Sequence, residues 1–230
     1  MLTAPAEPLL SAVVTAQKYL PLVLLLGVAL SCGAYEDGDW QFWNTDGVEH
    51  KLSDKARLSF DAEVYFGDDM TDFYYRHVQP GASLLPAPWI EVGVNYRYLE
   101  EKKSGEWVTE NRPAACATLI WKPAGFAVSD RNQLEYRSRE EQDDTWRYRN
   151  RLRVVAPLKF TKLCLQPYAD EEIYVDIDEK EFQQNRASVG LTAKLLKNLK
   201  TDVYYMKKMD WKAGDWLETN ILGLQIRLSF

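Results

Sequence analysis

The run Trp146-Arg147-Tyr148-Arg149-Asn150-Arg151-Leu152-Arg153-Val154 places an arginine at every second position. Between the arginines stand aromatic or aliphatic residues, Asn150 excepted. Successive side chains of a strand point to opposite faces, so this segment makes a ribbon with one cationic and one greasy side. A helix would scatter both sets around its circumference. The same period of two recurs along the chain. Ala56, Leu58, Phe60, Ala62, Val64 and Phe66 alternate with Arg57, Ser59, Asp61, Glu63 and Tyr65. Ile90, Val92, Val94, Tyr96 and Tyr98 alternate with Glu91, Gly93, Asn95 and Arg97, and Ala187 to Leu195 behave alike. No helical period of useful length appears.

Working outward, the pattern predicts strands at roughly 40–51, 56–66, 72–84, 89–99, 107–121, 126–138, 145–156, 163–174, 182–195, 199–209 and 216–230. Most are long enough to cross a bilayer at a barrel tilt and longer than a soluble sandwich normally uses. The expected fold is all-β, an up-and-down antiparallel transmembrane β-barrel with a charged lumen. Single-chain bacterial barrels have even strand numbers, so 12 strands are expected, with 10 as the alternative. The count of predicted segments is odd, so a strand is missed or falsely split, or the lead Tyr35–Asp39 threads the lumen.

Composition agrees. A chain of 230 residues suffices for one domain, and 46% hydrophobic content with a mean hydropathy of −0.38 suits alternate lipid contact rather than apolar helices. The net charge of −6 does not favour nucleic acid.

One continuous apolar run stands apart, Tyr19–Leu30, after Lys18 and before Ser31-Cys32-Gly33-Ala34. Charge, a dozen apolar residues and a small-residue exit are the layout of a signal peptide, too short to span as a helix. Cleavage is expected after Ala34, dividing the chain into 1–34 and a barrel over 35–230. Acylation of Cys32 is the alternative, although Leu30 suits a lipobox poorly. Cys116 and Cys164 are expected inside the lumen on strands that are not neighbours, and unpaired, although an oxidising periplasm would permit a disulfide.

Two features orient such a barrel. Connections such as Leu52–Lys55, Leu85–Pro88 and Lys122–Gly125 read as short turns, whereas Gly67–Asp69, Glu100–Glu106, Arg139–Asp144, Val175–Glu181 and Asp210–Asp215 read as longer acidic loops. That alternation places the short turns in the periplasm. Aromatics collect near strand ends: Trp40, Trp43, Trp89, Trp107, Trp121, Phe126, Trp146, Trp211 and Trp216. Rings at both rims match the girdles of membrane barrels, with Trp107, Trp121, Trp146, Trp211 and Trp216 as the candidates here. The last strand carries Leu222, Leu224, Ile226, Leu228 and Phe230 on one face. Ending on Phe230, it resembles the terminal strand that barrel assembly machinery recognises.

The polar face supplies the candidate site: Arg97, Glu110, Arg112, Arg131, Glu135, Arg137, Arg147, Arg149, Arg151 and Arg153. A symmetric hairpin over Arg131–Arg153 would put Glu135 opposite Arg149, Gln133 opposite Arg151 and Arg137 opposite Arg147. In the preceding hairpin Arg97 would meet Glu110, and Asn95 would meet Arg112. Glu63, Glu91, Glu110 and Glu172 are further carboxylates for this face. The set reads either as an anion-attracting constriction or as an interlocked network filling a narrow barrel, where charges must find partners. The second reading is preferred.

Catalytic signatures are weak. Neither His50 nor His77 has the nearby serine of barrel lipid hydrolases, and no metal spacing or phosphate loop occurs. No cofactor and no metal are expected.

The segment Arg131-Asn132-Gln133-Leu134-Glu135-Tyr136-Arg137, followed by the arginine run Arg147–Arg153, resembles the central signature of the bacterial family called domain of unknown function 2490. Trp43, Asn95-Tyr96-Arg97, Glu110-Asn111-Arg112, Pro167-Tyr168, Glu171-Glu172, Arg186 and Gly190 agree with it, over about 40–230. Asn95 stands where that family usually has glycine. The resemblance implies an outer-membrane barrel without assigned activity and supplies no catalytic residues. The expected function is a narrow or plugged pore, or a structural surface protein, in the bacterial outer membrane. Its expected partners are outer-membrane lipid, lipopolysaccharide and the assembly machinery, with no nucleic acid. The alternatives are a lipid-modifying enzyme of that membrane and a secreted ligand-binding barrel.

Overall fold

A computed structural model describes residues 37–140, 142–212 and 214–230. The proposed signal segment 1–34, with Cys32, lies outside the described residues. Eleven strands follow one another: β1 Trp40–Lys51, β2 Ala56–Gly67, β3 Asp72–Ala87, β4 Ile90–Lys103, β5 Glu106–Trp121, β6 Ala127–Arg139, β7 Gln142–Val155, β8 Gln166–Asp176, β9 Glu181–Leu196, β10 Leu199–Lys212 and β11 Asp215–Ser229. Among the described residues the only helical element is the turn Pro123–Gly125. Each strand pairs with its successor, and the sheet closes into a barrel through β1 and β11.

The all-β barrel expected from the alternation is present, but with eleven strands rather than 12 or 10. In a meander the strands alternate direction, so an odd number leaves the first and last running the same way. Closure is accordingly parallel, with Trp40 to Glu49 in register against Asn220 to Ser229. Parallel pairs use evenly spaced, slanted hydrogen bonds and are slightly less stable per residue. The lead does not enter the lumen over its described part. Gly38 N–H donates to the Glu218 carbonyl at 2.9 Å, and Asn220 N–H to the Asp39 carbonyl at 2.8 Å. The Asp39 carboxylate also accepts the N–H groups of Asp68 and Asp69, at 3.3 and 3.0 Å. That contact ties the lead to a turn whose Asp68, Asp69 and Met70 all hold positive φ.

The expected alternation of short turns and long loops does not hold. Strands run through the acidic segments, leaving two-residue links such as Ser104-Gly105, where φ is 49° and 89°. Paired positive φ values are those of the tight turn that matches strand twist. Cross-strand charge pairs such as Arg76–Glu100 at 2.6 Å and Lys102–Asp72 at 2.8 Å let the acidic stretches extend the ladder. The longest connection, residues 156–165, lies on the opposite rim and carries exposed Cys164, so that cysteine is outside the lumen. Cys116 is half-buried on the inward face of β5, and both thiols are free.

Outward positions carry exposed apolar side chains over most of the wall, including Leu58, Phe60, Val94, Val189, Leu191, Val203 and Leu222. One polar stripe interrupts them across β6–β9. There Asn150 donates to Asp130 and Asn132, Tyr148 donates to Asn132, and Asn185 donates to Glu171. The stripe satisfies hydrogen bonds within itself.

Trp89, Trp121, Phe126 and Phe230 lie towards one rim, exposed, while Trp40, Trp146 and Trp216 lie exposed towards the other. Trp107 packs on Phe73 under the Arg76 guanidinium, and Trp211 packs on Trp216 at the last hairpin. Trp43 departs from the expected rim set. It shares its face with Gln41 and Thr45, and with 3% exposure it is buried inside the barrel.

Candidate functional site: a charge lattice beneath an aromatic cup

The inward face of β7 presents Arg147, Arg149 and Arg151 at successive lumen positions, about 6.6 Å apart along a strand, and Arg153 follows. Such a ladder of like charges stands only if its neighbours are acidic. They are, because β6 contributes Glu135 and β8 contributes Asp170 and Glu172. Hairpin registers slip by two residues from expectation. Glu135 stands opposite Arg147, Gln133 opposite Arg149 and Arg137 opposite Thr145. Arg97 stands opposite Arg112 rather than Glu110, and Asn95 opposite Ala114. A slip of two keeps every residue on its face, so all ten expected lumen residues still point inward.

Three carboxylates knit the waist. Glu135 is fully buried and accepts from Arg147 at 2.6 and 2.8 Å, from Arg149 at 2.6 Å and from Gln133 at 2.8 Å. Glu172 accepts from Arg149 at 2.8 Å, Arg131 at 2.9 Å and Tyr174 at 2.7 Å. Glu110 accepts from Arg112 at 2.8 Å and holds Arg137 through both oxygens at 2.8 and 2.9 Å. Towards the opposite rim Arg151 meets Asp170, and Arg153 reaches Asp202, each at 2.6 Å. Arg227 meets Asp61 at 2.8 Å. Forked guanidiniums suit this sharing, because each offers parallel donors to two acids at once.

On the acid-rich rim the lumen widens into a cup of about 1000 Å³. A smaller cavity of about 150 Å³ lies on its other side. Trp43, Tyr65, Arg97, Arg149 and Arg186 border both and form the partition. Trp43, Tyr65 and Tyr75 stand directly opposite one another on β1, β2 and β3. That register stacks their rings at centroid separations of 3.9 and 4.3 Å. Arg186 continues the stack, its guanidinium 4.8 Å from the Trp43 ring and 4.8 Å from that of Tyr174. Buried Gln41 locks the arrangement by accepting from the Trp43 indole at 3.1 Å and the Tyr74 hydroxyl at 2.7 Å. A register shift near Tyr65 turns Tyr74 inward beside Tyr75. Two glycines make room for rings that border the smaller cavity: a Cβ on Gly223 would lie 2.0 Å from the Tyr204 ring, and one on Gly190 2.7 Å from that of Tyr168.

The aromatic stack, Tyr174, Asp170, Asp202 and Lys208 are absent from the expected site. Strand parity in Tyr168-Ala169-Asp170-Glu171-Glu172-Ile173-Tyr174 could have found Asp170 and Tyr174; no sequence signal marks the shift at Tyr74. His77 is buried on the inward face, without Phe73 beside it, because the same shift sends Phe73 outward. Its Nδ1 lies 3.1 Å from the Tyr75 hydroxyl and 3.5 Å from Glu63, and its strand partners are Glu63 and Leu99. His50 is exposed on the outer face at the other rim. Among the described residues no His, Cys, Asp and Glu grouping could hold a metal ion.

No curated protein matches the chain. The family model described as Protein of unknown function (DUF2490) matches residues 40–219, with the arginine ladder and its carboxylates inside the match, and the chain belongs to that family.

Proposed function

We propose that the chain is an integral outer-membrane barrel closed at its waist, a plugged barrel that offers a cup at one rim rather than an open pore. The observation that carries this reading is the inverted distribution of side chains. Val94, Val189 and Val203 on the wall are 62%, 59% and 57% exposed, whereas Glu135 and Asp176 inside are 0% and 1% exposed. Left in water, such a wall would far exceed the apolar patches that soluble monomers carry. Hydrocarbon removes that penalty, and the closed ladder leaves no strand edge in it. A secreted ligand-binding barrel would have the opposite arrangement, with an apolar interior. No serine stands opposite His77, so we assign no lipid-modifying reaction. In this reading Phe230, whose backbone bonds to Glu49 and Lys51 complete the last strand, is the assembly signal. The rim tryptophans meet lipid headgroups and lipopolysaccharide.

Fractionation of cells with heat-dependent mobility on gels tests the location. Recovery only with detergent, and a mobility that shifts on boiling, are expected; extraction by buffer alone would contradict it. In planar bilayers the native barrel should conduct little, and a large steady conductance would contradict the closed waist.

A further inference from the structure

We propose that the cup is a binding site for a water-soluble organic anion bearing several carboxylate or phosphate groups. It rests on the reading of the waist as closed, which turns the cup into a dead end, but not on where the barrel resides. Ten lysine and arginine side chains border the cup against three carboxylates, Asp72, Glu101 and Asp210. Part of that excess is neutralised from behind by Glu110, Glu135 and Glu172. Of the three partition guanidiniums, Arg149 is bonded to two of these acids, whereas Arg97 and Arg186 have none of them at hydrogen-bond distance. Among the described residues no carboxylate comes within ion-pair distance of Arg97, whose Nε donates to Gln79 at 2.8 Å. Arg186 has only Glu172 at 3.8 Å, and its buried Nε has no hydrogen-bond partner. Glu63, the carboxylate beside the stack, borders the lower cavity and is already bonded by Tyr65.

The aromatic wall favours the same charge. Tyr65 is sandwiched between Trp43 and Tyr75, so both its faces are covered and the cavity meets its edge. Ring edges carry the positive end of the quadrupole. Guanidiniums with free donors and positive ring edges converge on one partition. The volume suits an organic molecule rather than a bare inorganic ion. Several acidic groups are needed to use both arginines and the lysines at the mouth.

The test uses the purified full chain in neutral-detergent micelles with two dyes of one ring skeleton and opposite charge. Carboxyfluorescein should show a rise in anisotropy that weakens with salt, and rhodamine 123 should show none. Arg186→Gln and Arg97→Gln should each weaken carboxyfluorescein about tenfold or more, as the loss of a charge-assisted contact does. Heat-dependent mobility checks that each variant is folded. Lys103→Gln with Lys212→Gln, at the exposed mouth, gives a second variant with a smaller loss at low salt. Equal binding of both dyes, no binding of carboxyfluorescein, or binding indifferent to Arg186→Gln and to the mouth variant would overturn the site. A chain that binds the dye yet extracts without detergent would keep this site and overturn the location instead.

Discussion

The waist and the cup use the same residue, arginine, at the same kind of inward position, and they put it to opposite ends. At the waist each acid is shared by two or more guanidiniums and the polar groups fill the space. At the partition Arg97 and Arg186 keep donors without acids, beside a cavity. Burying a charge is tolerable when partners and hydrogen bonds complete it, and at the waist they do. An incompletely matched cation beside open volume is a binding group. What separates the two is therefore how the carboxylates are shared: Glu172 stands on the strand between those of Arg149 and Arg186 but is hydrogen-bonded by Arg149 and Arg131, leaving Arg186 at 3.8 Å.

The contrast should break most sharply at Glu135. Glu135→Gln leaves Arg147 and Arg149 without their common acid and should cost about 3–5 kcal/mol of stability, read as a lowered unfolding midpoint. Next in size comes the smaller cavity beyond the partition. Gly223→Val drives a side chain into the Tyr204 ring and should cost about 1–3 kcal/mol by overpacking. Arg186→Gln sharpens the comparison from the other side. Its one acid lies at 3.8 Å and its guanidinium is held mainly by the Trp43 and Tyr174 rings, so stability should fall by less than for Glu135→Gln while anion binding weakens about tenfold or more. A stability loss as large as that of Glu135→Gln would make Arg186 part of the plug. Smallest of all, Lys207→Gln removes an outward pair with Glu218 that is more than a third exposed on both sides, and should change stability by about 0.5 kcal/mol or less.

Much of this was legible in the chain. Period-two alternation assigned nearly every residue to its face, because parity is a local property of strands. Register was not, since it depends on where each hairpin turns. Symmetric folding about Glu140–Asp144 put the turn too late, because β7 begins at Gln142 and Arg139 already pairs with it. Loop length was misread because acidic residues that look like loop composition pair across the ladder, as Glu100 does with Arg76. The parity of the barrel escaped for a different reason. Eleven segments were visible, but nothing local to β1 or β11 announces that they pair side by side in parallel. Trp43 shows the same limit, since a tryptophan near a strand end looks like a girdle residue until closure brings Tyr65 and Arg186 onto its faces.

Lipid contact of the outer wall is tested most directly by spin labels on single cysteines in liposomes, with the native cysteines changed to serine. Labels at Val94, Val189, Leu222 and Leu224 should be accessible to oxygen and shielded from a water-soluble nickel chelate, while labels at Asn95, Ser188 and Gln225 should be shielded from oxygen. The reverse pattern, with the chelate reaching Val94 and Leu222 freely, would contradict a wall that faces hydrocarbon.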